Sequence, residues 1–392
     1  MRPSAALRSL VERFDPSVFD APAGRARLRL AVAGEPAWDA VFEGGRGALR
    51  LEPPHGEPDA ELRADAPTWA AIERDLSAGL EACARGDLVL RRNLHLSVAF
   101  LAATSGEPEP GRLRFDTVRA PGRRFSLLEA GTGAPLVMLH GLGGTKASFL
   151  PTVAGLSGRY RTIAVDLPGF GDSGKPLGAR YDPAFFADSV VSLLDALGLE
   201  RVHLLGHSLG GRAALEVAFE HPERIEGLVL AAPSLAWLCD RRWAPYLRLV
   251  PPQLGLLQAA PRPIVERILR RLVREAETPW AETALDEFLR AYLTPRGRVA
   301  FYAAARQVYL EEPERFWSRL DDLGPESLFV WGRRDEVVPF GFARHVRAHV
   351  PAARHLELDC GHTPQVESPA RFHAAIADFL DGVSAPTLAA AA

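Results

Sequence analysis

Cysteine is scarce in this chain, and its spacing argues against two ways of stabilising a fold. Cys83, Cys239 and Cys360 are the three cysteines, and they lie far apart among the 392 residues. An odd number of widely spaced cysteines indicates neither a disulfide framework nor a metal site built on thiolates. We therefore expect a reducing compartment, most simply the cytoplasm.

Long apolar runs are missing as well. No segment approaches the roughly 18 apolar residues of a membrane-spanning helix. Arg2, Arg8, Glu12 and Arg13 interrupt the apolar groups of residues 1–15, and no unbroken apolar stretch follows them. This pattern favours an amphipathic helix over a signal peptide.

Neither sign of charge is in excess. The 46 basic and 49 acidic residues give a formal net charge of -3, so the chain lacks the overall basic character of a nucleic-acid-binding protein. Lys146 and Lys175 are the only lysines in an otherwise all-arginine set of cations. We ascribe this bias, together with the many alanines, to GC-rich coding.

Hydrophobic residues make up 47% of the chain, enough for a sizeable core, and its length predicts two or three domains. Residues 1–104 predict a small α+β domain in which short strands form a meander and helices follow. Short apolar segments separated by Gly, Pro and Asp predict strands at 27–32, 38–42, 48–51, 60–62 and 88–90, and the alternation of apolar and polar residues marks the first as half-buried. Helices are expected at 65–84 and 94–103. A linker is expected at 105–111.

Residues 112–384 alternate strand and helix, which predicts an α/β domain with a parallel sheet covered on both faces. Its buried strands are expected at 135–139, 162–165, 202–205, 225–230, 327–331 and 355–358. Residues 234–323 interrupt this alternation without a clear strand, and we expect a helical lid there. Residues 385–392 are expected to be a disordered tail.

A Gly-x-Ser-x-Gly motif lies between a predicted strand and a predicted helix. It runs from Gly206 to Gly210 with Ser208 at its centre. In a nucleophile elbow this context holds the serine hydroxyl out at the end of the sheet, and the small glycines let strand and helix approach each other. The motif therefore makes Ser208 the candidate nucleophile.

Two further residues complete a candidate triad. Asp335 follows one predicted strand and His362 follows the next, so that the order along the chain is Ser, Asp, His. Serine becomes a good nucleophile when a neutral imidazole takes its proton, and a carboxylate fixes the tautomer of that imidazole. We predict His362 as the base and Asp335 as its partner, although Glu336 is adjacent.

With these motifs, residues 112–381 resemble the α/β-hydrolase family, which implies a mostly parallel, eight-stranded sheet with a helical lid. The segment from His140 to Gly144 is similar to the family's oxyanion loop, and the resemblance implies that the backbone N–H groups of Leu142 and Leu209 form the oxyanion hole. Asp166 and Asp172 lie in a turn that resembles one following the next strand of the family, and we interpret both as structural. His140 and His207 are interpreted as structural or pocket-lining residues, and no catalytic role is expected for Cys360.

The resemblance implies an enzyme and leaves its reaction open. A serine at position 208 favours hydrolysis of an ester or related acyl bond, and the apolar residues of the lid region favour a hydrophobic, acyl- or lipid-like substrate. Thioester hydrolysis, C–C bond hydrolysis and acyl transfer use the same triad, and a C–C hydrolase would need cationic groups, for which Arg212 is a candidate. A lipid-binding protein that has lost catalysis is the non-enzymatic alternative.

Two regions bear on the substrate. Residues 263–273 combine apolar side chains at helical spacing with several arginines, which fits a lid helix and allows peripheral membrane contact. Residues 1–104 resemble a sterol-carrier-protein-2-like domain in the strand meander, the turn at 84–88 and the final apolar helix, which implies a hydrophobic tunnel. No cofactor, metal or nucleic acid is called for, and the oligomeric state is left open.

Overall fold

The computed structural model describes residues 2–16, 18–19, 21, 24–44, 48–74, 79, 82–83, 85–104, 111, 113–235, 246, 249, 251–257, 263, 266–267, 279–310 and 313–384. The chain divides into two compact units. The first comprises Met1–Asp116, Leu128–Gly131 and Ala260–Arg290, and the second comprises Thr117–Leu127, Thr132–Ala259 and Ala291–Ala392. The predicted linker, apart from residue 111, and the predicted tail lie outside the described residues.

A five-stranded sheet forms the frame of the first unit, with strand order β3-β2-β1-β4-β5. Its strands are β1 (Arg25–Val32), β2 (Trp38–Glu43), β3 (Ala48–Glu52), β4 (Ala60–Ala64) and β5 (Leu88–Arg91). Every second residue of β1 is buried, so one face of the sheet packs inward. Helices of this unit with described bounds before the lid region are α1 (Ala5–Glu12), α2 (Ala66–Arg74) and α3 (Leu94–Ala103), and every residue of α3 is buried.

The predicted meander of this sheet is wrong at β4. A meander pairs each strand with the next in sequence, whereas β4 pairs with β1 in parallel orientation, with Leu30 opposite Leu62. The physical reason is that alternation of apolar residues specifies which face of a strand is buried and says nothing about its neighbour.

The second sheet has eight strands in the order β13-β12-β11-β10-β8-β9-β7-β6. They are β6 (Arg114–Ala120), β7 (Arg123–Ala130), β8 (Ala134–Leu139), β9 (Tyr160–Val165), β10 (Val202–His207), β11 (Ile225–Ala231), β12 (Ser327–Gly332) and β13 (Arg354–Leu358). Neighbouring strands from β8 to β13 are parallel. All residues of β10 and β12 are buried, as predicted for strands covered on both faces.

Helices connect these parallel strands, and two more follow β13. They are α4 (Leu150–Leu156), α5 (Pro183–Ala196), α6 (Leu209–Glu220), α10 (Phe342–His349), α11 (Pro364–Glu367) and α12 (Pro369–Ser384). The interval predicted as a lid contains helices α7 (Pro279–Tyr292), α8 (Pro295–Leu310) and α9 (Pro313–Leu320), and its described residues include no strand. Most of the predicted amphipathic segment 263–273 lies outside the described residues. None of the described helices is long and apolar enough to cross a membrane.

Candidate active site

Ser208 lies at the turn between β10 and α6, in a strained backbone conformation. Its φ is 52° and its ψ is -116°, and its amide donates to the carbonyl of Ala231 at 3.0 Å. A positive φ in a residue with a side chain costs free energy, which the surrounding structure must supply, and such strain concentrates at functional sites. The turn therefore has the backbone geometry of a nucleophile elbow.

The two glycines of the motif permit this turn because nothing larger fits. A Cβ on Gly206 would lie 2.4 Å from the carbonyl oxygen of Gly210, and a Cβ on Gly210 would lie 2.1 Å from the carbonyl oxygen of Leu139. Both distances are far below van der Waals contact. The strand before Ser208 and the helix after it thus approach each other closely, with β8 beside them.

The structure brings Ser208, His362 and Asp335 together. Nε2 of His362 lies 3.1 Å from Oγ of Ser208, and Nδ1 of His362 lies 2.8 Å from Oδ2 of Asp335. The other carboxylate oxygen of Asp335 accepts from the amides of Val337 and Val338, both at 2.8 Å. The side chain of Asp335 is 1% exposed, so these hydrogen bonds hold a buried carboxylate in one orientation.

This arrangement defines the proton positions that catalysis requires. A carboxylate only accepts hydrogen bonds, so Nδ1 of His362 carries the hydrogen that faces Asp335. The lone pair of Nε2 then faces Ser208 and can accept the hydroxyl proton. Glu336, the neighbour that made the assignment of Asp335 uncertain, is exposed.

The predicted oxyanion loop lies against the nucleophile. A Cβ on Gly141 would lie 3.1 Å from the Cβ of Ser208. Leu142 is the next residue, in a turn closed by the amide of Gly144 donating to the carbonyl of Gly141 at 2.9 Å. Leu209 is the first residue of α6, where backbone N–H groups have no acceptor within the helix. Leu209 therefore follows Ser208 directly in the chain, and Leu142 follows a glycine that packs against Ser208.

Two buried groups tie this loop to the turn after β9. His140 donates through Nδ1 to the carbonyl of Gly141 at 2.8 Å and accepts at Nε2 from the amide of Leu167 at 3.0 Å. Burial lowers the pKa of His140, consistent with a neutral ring. Asp166 accepts from the amide of Lys146 at 2.7 Å, within the same connection. These contacts agree with the structural interpretation of both side chains.

Lys146 is a structural cation that the sequence analysis did not assign. Its ammonium lies 2.7 Å from Asp166 and 3.2 Å from Asp172. Burial opposes ionisation of Asp166, but attraction and a hydrogen bond from the Lys146 ammonium, together with His140, lower the pKa of that carboxyl. The available signal was its rarity, since only one other lysine occurs in the chain.

Arg212 and Cys360 do not act as reactive groups in this structure. The Arg212 guanidinium pairs with Glu216 at 2.8 Å and lies over the ring of Phe316 at 5.0 Å. Its charge is thus compensated by a residue of the same helix, which weakens its candidacy as a substrate-binding cation. Burial raises the pKa of the Cys360 thiol to about 12, so the thiol stays protonated at neutral pH.

Comparison with known proteins agrees with the geometry. The family model described as alpha/beta hydrolase fold matches residues 134–369. The chain belongs to the α/β-hydrolase family. It is therefore an enzyme, and the non-enzymatic alternative falls away. The family match does not extend to residues 1–104.

Individual relatives carry different names. The chain is 30% identical over 293 residues to 2-hydroxymuconate semialdehyde hydrolase of Pseudomonas sp. (strain CF600), covering 71% of this chain and 96% of that protein. It is 32% identical over 259 residues to pimeloyl-[acyl-carrier protein] methyl ester esterase of Aeromonas hydrophila, covering 64% and 96%. Among solved structures, a membrane phospholipase A matches with a TM-score of 0.55 and 28% identity, covering 69% of this chain and 86% of that one.

Proposed function

We propose that this α/β hydrolase cleaves an ester bond of a hydrophobic, acyl- or lipid-like substrate through an acyl-enzyme on Ser208. The observation that carries the proposal is the hydrogen-bonded series from Ser208 Oγ through His362 to the buried Asp335 carboxylate. Such a series activates a hydroxyl group, which is otherwise a weak nucleophile.

The reaction proceeds in two halves. In the first, Ser208 attacks the substrate carbonyl while Nε2 of His362 takes the hydroxyl proton, and the C–O bond breaks as His362 returns that proton to the leaving alkoxide. In the second, His362 takes a proton from water, the hydroxide attacks the acyl-serine ester, and the acid leaves as Ser208 regains its proton. Asp335 stabilises the imidazolium in both halves.

Backbone donors stabilise the charge that appears on the substrate oxygen. The N–H groups of Leu142 and Leu209 would bind the oxyanion of each tetrahedral intermediate. A single donor of this kind contributes about 3–4 kcal/mol to transition-state binding. No charged side chain is required for this step.

An ester is favoured over other acyl bonds for two reasons. A serine hydroxyl with a Ser-His-Asp triad is suited to acyl transfer to water, and one relative is named as a methyl ester esterase. A hydrophobic substrate is supported by three exposed apolar side chains in the lid region, since Tyr246 is 68%, Leu249 is 78% and Leu254 is 48% exposed. We propose that this region meets an acyl chain or a membrane surface.

C–C bond hydrolysis is the second candidate. It is favoured by the relative named 2-hydroxymuconate semialdehyde hydrolase, a name that denotes no ester group. Such acidic substrates call for a cation at the site. Arg212 does not supply one here because Glu216 compensates it. Thioester hydrolysis and acyl transfer remain variants of the ester proposal.

The first unit is proposed to be a sterol-carrier-protein-2-like domain that binds the acyl part of the substrate. Its support is the helix α3, which is mostly apolar and buried at every residue. The proposal predicts that the full-length Ser208→Ala protein binds a fluorescent long-chain fatty acid. Binding should persist after phosphonylation of Ser208 in the wild type, whereas its loss would locate the ligand at the catalytic site.

The decisive experiment compares hydrolysis of p-nitrophenyl esters from acetyl to palmitoyl by wild type, Ser208→Ala and Ser189→Ala. Ser189 is a matched control because it is a buried serine whose hydroxyl donates to the carbonyl of Phe185 within α5. We expect Ser208→Ala to lose all turnover above background and Ser189→Ala to keep it. The preferred chain length then measures the acyl pocket.

Labelling with a fluorophosphonate separates the candidates. Wild type that is inert on every ester yet labelled at Ser208 has a working triad, and C–C bond hydrolysis then becomes the leading candidate. A folded wild type with neither turnover nor labelling would contradict the proposal.

A further inference from the structure

The backbone of His362 is held by two side chains outside the triad. The first is His207, whose Nε2 lies 2.8 Å from the carbonyl oxygen of His362. A carbonyl oxygen only accepts, so Nε2 of His207 is the donor and its hydrogen is on that nitrogen. The two residues are 155 positions apart in the chain, and this bond joins the nucleophile elbow to the loop of the base.

His207 also contacts the oxyanion loop. A Cβ on Gly141 would lie 3.0 Å from Nδ1 of His207, so the ring packs against that glycine. The rings of His207 and His362 lie 4.9 Å apart between centroids, at 52°. One side chain thus touches the three segments whose relative placement the reaction needs.

Charge at His207 would oppose the reaction. His362 becomes an imidazolium each time it takes the serine proton, and a second cation beside it would raise the free energy of that state. Burial, followed by repulsion from His362, lowers the pKa of His207 to about 3. His207 therefore stays neutral and keeps donating throughout the range in which the triad works.

The second side chain is Glu367, at the end of α11. Its carboxylate accepts from the amide of Gly361 at 2.6 Å and from the amide and hydroxyl of Thr363, both at 2.8 Å. These residues flank His362 on either side. His207 donates to the carbonyl of His362 itself. Together these hydrogen bonds hold the backbone at His362 and at the residues on both sides of it.

We propose that His207 and Glu367 are positioning residues that set the orientation of His362 relative to Ser208. The proposal rests on the proposed role of His362 as base. With its backbone held and Nδ1 bonded to Asp335, the imidazole keeps Nε2 directed at the serine hydroxyl. A displacement of about 1 Å at a reacting group can lower a rate about 100-fold.

The test for His207 uses two substitutions of the full-length enzyme. His207→Phe keeps a ring and removes the donor, whereas His207→Gln retains a side-chain amide donor with comparable reach. We expect His207→Phe to lower kcat by about 10- to 100-fold with KM within about 2-fold, and His207→Gln to restore at least half of the loss on a logarithmic scale. Circular dichroism and Tm establish that each variant is folded.

The test for Glu367 uses Glu367→Gln. The glutamine keeps one accepting oxygen, but its amide nitrogen cannot accept, so one of the two flanking N–H groups loses its acceptor. We expect kcat to fall about 10-fold or more with KM unchanged. The matched control is Glu357→Gln, on β13, a carboxylate that pairs with Arg333 and Arg347 outside this loop. It should keep wild-type kcat.

A double-mutant comparison tests whether His207 and Glu367 affect catalysis through His362. In a His362→Ala background, His207→Phe and Glu367→Gln should have no further effect on the residual fluorophosphonate labelling rate, because both act through His362. Folded single variants with kcat within 2-fold of wild type would overturn the positioning proposal. So would additive losses in the His362→Ala background. Unchanged turnover in His362→Ala itself would instead overturn the proposed function.

Discussion

Lys146 and Asp166 form an ion pair in which both side chains are almost completely buried. Nζ lies 2.7 Å from Oδ2, and the side chains are 2% and 0% exposed. The same carboxylate receives the amides of Lys146 and Asp172, both at 2.7 Å. This pair therefore fixes the segment after the oxyanion loop to the turn after β9, and it does so without facing solvent.

Lys146→Met should destabilise the second unit by about 3–5 kcal/mol, because it leaves the Asp166 carboxylate buried without its cation. Urea unfolding followed by tryptophan fluorescence measures this. Arg180→Met is the control, since Arg180 is 84% exposed in its pair with Asp182, and an exposed pair contributes about 1 kcal/mol at most. Equal effects of the two substitutions would contradict the role given to Lys146.

Asp335→Asn should lower kcat about 10⁴-fold while leaving the fold intact. The amide can donate to Nδ1 of His362, which stabilises the wrong tautomer and removes the charge that supports the imidazolium. Steady-state kinetics on the best p-nitrophenyl ester measures the loss. Glu336→Gln, a neighbouring and exposed carboxylate, should stay within about 2-fold of wild type, and the reverse result would move the catalytic acid to Glu336.

Gly210→Ala should disturb the elbow, because the added Cβ would lie 2.1 Å from the carbonyl oxygen of Leu139. Overpacking of this kind costs about 1–3 kcal/mol, and any shift of the turn moves Ser208 away from His362. We expect a lower Tm together with slower fluorophosphonate labelling. Gly158→Ala is the control, since its Cβ would have no atom within 4 Å. Wild-type labelling in Gly210→Ala would show that the close approach does not position Ser208.

Stability should fall as the pH decreases from about 6.5 toward 4, because of buried histidines. Burial lowers the pKa of His373 to about 4, whereas the unfolded chain titrates at about 6.5. Between these values the unfolded state binds the proton and the folded state does not, so lower pH favours unfolding, by about 1.4 kcal/mol per pH unit for one such group. His207, with the pKa of its ring lowered to about 3, adds to the same trend.

Urea unfolding at pH 7, 6 and 5 measures this dependence. His373→Gln should reduce the slope, since it removes one group that protonates only on unfolding. The exposed His345 provides the control, and His345→Gln should leave the slope unchanged. If wild type and His373→Gln had the same slope, the pH dependence would not come from His373.

Much of the candidate site could be predicted because its parts are local or lie at strand ends. The elbow around Ser208 is a short motif between a strand and a helix, and both flanking elements were recognisable from their periodicity. Asp335 and His362 each follow a strand of one parallel sheet, so their side chains meet at the same edge. The parallel sheet itself followed from continuous apolar strands alternating with helices.

Other features depended on which distant segments are neighbours. The parallel pairing of β4 with β1 is not encoded in the periodicity of either strand. Nor could the partners of His207 or Glu367 be inferred, because a histidine in this motif has many possible acceptors and a glutamate side chain is usually solvated. Arg212, a candidate substrate cation in the sequence, proved to be paired within its own helix.

By itself, the sequence determined the identity and order of the reactive groups, the alternation of strands and helices, and the elbow at Ser208. These follow from local backbone preferences and from the period at which apolar side chains recur. The tertiary structure alone decided the distances within the triad, the buried pair of Lys146 and Asp166, and the contacts of His207 and Glu367 around His362. Hydrogen bonds require placement within a few tenths of an ångström, and between residues far apart in the chain that precision comes only from the packing of the whole domain.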